Sequence, residues 1–471
     1  MLEPAYQADV VVVGAGVAGL SAAHRLNSAG VTTAVLEAAP YVGGRMSTEK
    51  IDGFRLDRIG QLLSTAYPEL ASTPGLDALV LRPFAPGVLL HSDGRHHRAG
   101  AQTGAGSARG ALHAVRALAS APRPGGLPRP RAGGSLPAQG RPAPPRVRAG
   151  APLGSAVDQA RLGAALTRLA VTPVERLLRR PESPAAQALA ARGLPARTVD
   201  GFLRPLLAAL LCDPDLATSS RCADLALRAF AAGRLAVPEG GAEVLPELLA
   251  RTLPAGVVHT GVRVTAVSTT SVTTAEHGEF RCRAVLVATD ARTAAELLPG
   301  LRVPDFHPVT VVHHTTDEPP PTGASLLLDA DRSGPVAHTA VLSQVDPSRA
   351  PGGRTLISST VLGAPAPGVD TAVRMHLSRL YGVSTARWET LAVHHTAEAV
   401  PAMRPPHDLR RAVRLLAGLY VCGDHRDTST VQGALHSARR AASAIVSDLG
   451  AAGSLNAADP RPTTRQEPAA A

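Results

Sequence analysis

The chain has 471 residues, enough for two or three domains with sizeable cores, and is 45% hydrophobic with only 3% aromatics. Its formal net charge of +10 at pH 7 is local: ten arginines and no Asp or Glu lie between Gly94 and Val157, which leaves the rest of the chain formally neutral. That distribution excludes a uniformly basic nucleic-acid-binding fold, and no apolar run approaches the ~20 residues of a membrane-spanning helix.

In chain order, the first unit reads as strand Asp9–Val13, a glycine turn, helix Leu20–Ala29 and strand Thr33–Leu36. The unbroken valine run fits a parallel strand buried on both faces, and Gly30 sits where a helix ends. Residues 99–152 are rich in Pro, Gly, Ala and Arg without a clear helical or strand period, and read as a loosely ordered insertion. A helical pattern runs from Ala156 to Ala232. Val257–Val267 and Cys282–Ala288 alternate like strands. Val309–His314, Ala324–Leu328, His338–Leu342 and Thr355–Val361 predict a sheet in another domain. Thr371–Tyr381 reads as helix, and Ala386–His394 is ambiguous between strand and helix. Strand Leu419–Cys422 and helix Gly433–Leu449 close the fold, with a disordered tail expected after Gly450. The expected units are therefore a nucleotide domain in three parts (1–80, 233–300, 405–450), a substrate domain in two (81–232, 301–404), and the tail 451–471. The expected fold class is α/β, a doubly wound Rossmann-type domain with a second, mixed α/β domain.

The four cysteines, Cys212, Cys222, Cys282 and Cys422, form no C-x-x-C pair, which predicts reduced thiols. The first strand begins almost at once, so no signal peptide is expected. A cytoplasmic protein is expected, with peripheral membrane contact left open.

Gly14-Ala15-Gly16-Val17-Ala18-Gly19 follows a strand and opens a helix. Gly14 permits the tight turn, Gly16 lets the backbone approach a pyrophosphate at the helix N-terminus, and Gly19 lets helix and strand pack closely. Glu37, 18 residues past Gly19, stands where a carboxylate accepts hydrogen bonds from an adenosine ribose, and it repels a 2′-phosphate. The motif alone does not separate NAD from FAD. Gly43-Gly44-Arg45 adds a second flexible turn and a bidentate cation close by, which suits the longer FAD.

These elements resemble the flavin-containing amine oxidase superfamily, which includes monoamine and polyamine oxidases, protoporphyrinogen oxidase and phytoene desaturases. Glu37 to Arg45, with Ala38 inside it, is similar to its "LEA…GGR" element. Gly53 to Gln61 is similar to "G-F-x-x-D-x-G-G/P", an element that lies against the flavin and brings Gly60, Gln61 and Leu62 to the site. Ala39 and Ile59 depart from the usual arginine and glycine. Val237-Pro238-Glu239-Gly240-Gly241 resembles the approach to the returning nucleotide domain. By the same resemblance Val264 contacts adenine, and AVLVATD (284–290) is a strand near the cofactor. Gly423 and Asp424 meet the ribityl chain. Thr430, Val431, Gln432 and Ala434 start a helix facing the flavin, where its dipole favours the anionic reduced form.

The implied chemistry is hydride transfer to FAD from a small-molecule substrate, with oxygen or a quinone taking the electrons. Two familiar amine-oxidase features are missing. The sole lysine, Lys50, does not belong to the substrate-domain sheet, and the loop 427–430 carries no aromatic. The form of residues 423–434, with Trp388 and Ala399-Val400-Pro401 upstream, is closer to phytoene-desaturase-like and protoporphyrinogen-oxidase-like members. Dehydrogenation of a mostly apolar substrate is therefore the expectation, with amine or porphyrinogen oxidation as the alternative. From another class, the chain could be a non-catalytic flavin-binding protein with a basic interaction segment, although nucleic acid is not an expected partner. His425 is a candidate catalytic or flavin-tuning group. His313-His314 and His394-His395 are adjacent on strands, where neighbours face opposite sides, so no metal is expected there.

Overall fold

The computed structural model describes residues 8–100 and 152–457. Most of the arginine-rich segment lies outside them, as does the tail beyond Ala457.

Two sheets organise the molecule. The first has six strands in the order Val258–Thr260, Thr33–Glu37, Val10–Val13, Ala284–Val287, Leu419–Val421, Arg414–Leu416. All neighbours are parallel except the last pair. Strands far apart in sequence thus meet side by side. Val10–Val13 (β1) and Ala284–Val287 are buried at every position, as a sheet covered on both faces requires. Helix Val17–Ser28 (α1) joins β1 to Thr33–Glu37 (β2). α1 packs against the closing helix, Val431–Ala457, in one apolar cluster containing Leu20, Ala23, Leu435, Ala438 and Ile445.

The second sheet has seven strands in the order Glu389–Pro401, Phe306–Thr316, Thr355–Leu362, Val336–Val341, Leu327–Asp329, Val88–Ser92, Arg95–Ala99. All pairs are antiparallel except Leu327–Asp329 with Val88–Ser92. Helix Val369–Tyr381 covers one face through Val373, Leu377 and Leu380. The helices between Ala156 and Ala232 build the largest apolar cluster against the rest of the sheet. The α/β fold with two unlike sheets agrees with the sequence expectation.

Several boundaries differ from the sequence reading, among them the following three. α1 starts at Val17, not Leu20, because extended Gly16 (φ −76°, ψ 177°) already serves as its N-cap. The ambiguous stretch 386–394 becomes a strand, Glu389–Pro401, because it pairs along Phe306–Thr316. The closing helix spans Val431–Ala457 instead of ending at Leu449. It runs through Gly450 and Gly453, each of which costs a helix interior only ~1 kcal/mol.

A buried ion cluster that the sequence did not reveal ties the turn after helix Leu342–Val345 to the ends of strands Phe54–Asp57 and Leu235–Pro238. Arg349 is fully buried, with guanidinium nitrogens 2.9 Å from both Asp57 and Asp346 and a hydrogen bond to the Pro238 carbonyl. Asp57 also accepts from the Ala242 N–H, and Asp346 from the Gly240 N–H. Burial raises the Asp346 pKa, but bonds from Ser348, Gly240 and Arg349 outweigh it and hold the carboxyl below its ordinary value.

Candidate functional site

A cavity of about 430 Å3 opens at the carboxyl ends of the parallel strands, where open α/β sheets bind ligands. Its lining includes Gly14, Gly16, Val17, Ala18, Glu37, Ala38, Gly43, Gly44, Arg45, Gln61, Val264, Gly423, Asp424, Thr430, Val431 and Ala434. Residues more than 400 positions apart thus share one wall.

The local geometry explains each glycine differently. Gly14 has φ +104° and its Cβ would meet the Ala288 carbonyl at 3.0 Å. A Cβ on Gly19 would lie 2.0 Å from the Gly14 carbonyl oxygen, so only glycine permits this helix–strand contact. A Cβ on Gly16 meets nothing within 4 Å and projects into open space. No side chain caps α1, and its first N–H groups remain free to meet an anion.

The second glycine turn is hydrogen-bonded onto the first. The Gly43 N–H donates to the Ala15 carbonyl (2.9 Å), and Gly16 and Gly43 form a parallel bridge. Gly43 (φ +116°) and Gly44 (φ +56°) both take conformations that disfavour side chains. The turn delivers Arg45 across the cavity, where it donates to Asp424 Oδ1 (2.6 Å) and the Ala399 carbonyl (2.9 Å). Burial lowers the Arg45 pKa, but Asp424 outweighs it and the guanidinium is held above its ordinary value. Glu37 is aimed by two backbone donors, Ala15 N–H to Oε2 and Ala39 N–H to Oε1, each 2.8 Å, and keeps lone pairs for a ligand.

At the far end, the Gly433 N–H donates to Thr430 Oγ1 (3.2 Å), which caps the closing helix. A Cβ on Gly433 would strike the Thr428 carbonyl at 1.9 Å, so the tight turn into this helix requires glycine.

The other predicted residues lie elsewhere. Ala15 and Gly19 support the wall through their backbones. Gly60 sits against Val311, Leu62 packs on the large apolar cluster, and Gln432 turns away to accept from the Glu69 N–H (3.1 Å). His425 is also outside the lining. Its ring is buried, neither nitrogen has a hydrogen-bond partner, and burial pushes its pKa down to about 4. His313 and His314 face opposite ways, one toward the Asp57 carbonyl and His394, the other toward Trp388. Lys50 is exposed and pairs with Glu243 (2.9 Å). The four cysteines are free thiols.

Sequence reasoning missed several lining residues. Asp290 caps helix Ala291–Leu297 and faces Arg45. Glu398 and Ser429 come from the neighbouring strand and loop. The D-A-R-T run after a buried strand carries an N-cap signal for Asp290. Glu398 had no such signal, because strand pairing alone places it.

A second cavity, about 320 Å3, shares the lining residue Thr430 with the first. Leu178, Leu211, Leu225, Met403 and Leu409 line it together with Glu69, Glu175 and Asp427. Tyr67 borders it and hydrogen-bonds Thr430, and burial raises its phenol to about 12, so it stays protonated.

This architecture defines a class, the two-domain flavoenzyme fold with an elongated nucleotide cleft. The family model for flavin containing amine oxidoreductase matches residues 17–446, and the chain belongs to that family as a FAD-dependent oxidoreductase. Among solved structures, putrescine oxidase bound to putrescine superposes with a TM-score of 0.63 at 18% identity, covering 94% of this chain and 100% of that one. Putrescine oxidase of Kocuria rosea is 44% identical over 100 residues, 20% of each chain. Carotenoid 3,4-desaturase of Haloarcula japonica is 51% identical over 49 residues, 10% of each chain. These matches span at most a fifth of the curated relatives.

Proposed function

We propose that the chain oxidises a small amine, taking hydride from the carbon beside the nitrogen, with FAD lying along the first cavity. In this reading Glu37 accepts from the adenosine ribose and Val264 borders adenine. The first turn of α1, with Gly14, Gly16 and the Gly43-Gly44-Arg45 turn, holds the diphosphate. Gly423 and Asp424 meet the ribityl chain. Thr430, Val431 and Ala434 point the positive end of the closing helix at the flavin ring, where developing negative charge is stabilised. Bound FAD supplies a two-electron acceptor for hydride.

The observation that carries the reading is that an apolar cavity lies directly beside the first, with Thr430 lining both. The second cavity offers an aliphatic wall for the body of the substrate, while its carboxylates are already paired, Glu69 with Arg25 and Arg439, Glu175 with Arg410, and Asp427 with His436 and Arg440. Hydride leaves the carbon while the nitrogen lone pair forms the C=N bond, and water hydrolyses the released imine. The amine must reach the site unprotonated for this step. No lysine stands on strand Phe306–Thr316, which carries buried Val309 and Val311, so proton removal falls to solvent. The family match and the putrescine oxidase similarity support amine over hydrocarbon.

Dehydrogenation of an apolar substrate is the second reading. The absent lysine and the leucine-rich wall favour it. Anaerobic mixing decides between them. Bleaching of the bound flavin by putrescine or an aliphatic monoamine, with aldehyde formed, supports the first. Bleaching by a polyene alone supports the second. Bleaching by neither removes both. Reoxidation of the bleached protein by air or by a quinone then identifies the acceptor.

A further inference from the structure

A cluster of metal-ligating groups lies at the edge of the seven-stranded sheet, away from both cavities. Strand pairing sets His91 directly beside Asp329, and Asp331 follows in the turn. One ring nitrogen of His91 and one carboxylate oxygen from each of Asp329 and Asp331 all lie within 4.8 Å of one another. His91 is 7% exposed, and its Nδ1 is shielded from solvent with no hydrogen-bond partner. A buried polar atom of this kind ordinarily has one.

The carboxylates are held from behind. Asp329 accepts from the Ser333 N–H (2.6 Å) and the Asp331 N–H (3.1 Å), and lies 3.2 Å from His376 Nε2. His376 is itself oriented, because the Val336 N–H donates to its Nδ1 (3.1 Å). That leaves Nε2 to donate to Asp329. Asp331 accepts from Ser92 Oγ (2.7 Å) and the Asp93 N–H (2.8 Å). Asp329 Oδ2 is taken up by the Ser333 N–H, Ser333 Oγ and His376, whereas Asp329 Oδ1 and both Asp331 oxygens each accept one bond and keep a second lone pair. Among the described residues, Asp329 forms an ion pair only with His376, and Asp331 forms none.

We infer that His91, Asp329 and Asp331 form a structural site for a divalent cation, best suited to zinc. One imidazole and two carboxylates fit zinc, with water completing the shell from the exposed side at Asp331. Ligand atoms about 2.0–2.1 Å from a tetrahedral ion stand roughly 3.3 Å apart, so the side chains close in on binding. The hydrogen bonds to His376, Ser333 and Ser92 are the outer contacts that fix ligand direction in such sites. The ion would pin the hairpin Val88–Ala99 to the turn 329–333, and through His376 to helix Val369–Tyr381.

The test uses the full chain with its flavin, stripped of metal by a chelator and dialysed. Zinc chloride is titrated calorimetrically, and bound metal is counted by mass spectrometry. Wild type is expected to hold one zinc more than His91→Gln or Asp331→Asn, with its melting temperature raised several degrees by zinc. Each variant should lose at least tenfold in affinity for that zinc. Asp331 is exposed, so Asp331→Asn keeps the test sound even if His91→Gln folds poorly. Equal zinc binding in wild type and Asp331→Asn, or none in wild type, overturns the site. Manganese bound with the same dependence on the variants in place of zinc retains the site and overturns the choice of ion.

Discussion

The two sheets solve opposite problems. The parallel sheet presents backbone: its cavity is framed by glycines, helix starts and N–H groups, with charge supplied mainly by Glu37, Arg45, Asp290 and Asp424. The antiparallel sheet presents side chains, and its interior holds His313, His314, Thr310, Thr339 and Ser359, all fully buried. Backbone recognition leaves a repeated spacing in the sequence, because only glycine satisfies those positions. Side-chain recognition leaves almost none, because many residue types fill a sheet face.

The contrast breaks most sharply at Gly19. Gly19→Ala places a methyl 2.0 Å from the Gly14 carbonyl oxygen, so the first β-α-β unit must shift. Loss of most folded, yellow protein is expected on purification. Normal yield and flavin content would show that this contact is tolerant.

Arg349→Met comes next. It leaves Asp57 and Asp346 buried without their cation. Breaking a buried pair in this way costs roughly 3–5 kcal/mol, read by denaturant unfolding. A loss under ~1 kcal/mol would mean that the backbone donors suffice.

Acid should act through the histidines. Burial depresses His313, His314, His338 and His425 to about 4. In the unfolded chain they take up protons near 6.5. The unfolded state therefore binds more protons between those values, and stability falls as pH drops from about 6.5 to about 4. The full effect is on the order of 3 kcal/mol for each histidine. Melting temperatures between pH 7 and pH 4 measure it, and His338→Gln should flatten the slope.

Gly16→Ala sharpens the comparison from the other side. Its methyl enters open space, so the fold should keep its melting temperature in the flavin-free state. FAD affinity should fall tenfold or more, because the methyl occupies the proposed diphosphate path. Leu225→Trp, which fills the second cavity, should raise KM with flavin content unchanged. An unaltered KM would move the substrate elsewhere. Lys50→Ala is the smallest expected effect, within about 0.5 kcal/mol, as for most exposed ion pairs.

Much of the first cavity was legible because its elements carry local signals. Gly14, Gly16 and Glu37 could be placed from spacing alone, and residues 423–434 from their resemblance to a family. Gln432 illustrates the limit. It sits among lining residues, yet helical geometry turns its side chain toward Glu69. Glu398 and the placing of the second cavity beside the first depend on strands and helices brought together from distant segments, so no window of sequence contains them.

By itself the sequence determined the crossover unit, its glycines, and the expectation of a flavin. Steric demands at Gly14 and Gly19 admit one residue type, and so leave a readable mark. Only the tertiary structure decided which chain segments border the second cavity, that Arg349 gathers Asp57, Asp346 and the Pro238 carbonyl, and that His91 meets Asp329 and Asp331. Those contacts arise from register and packing between remote elements, where the energy lies in pairs of residues that nothing local connects.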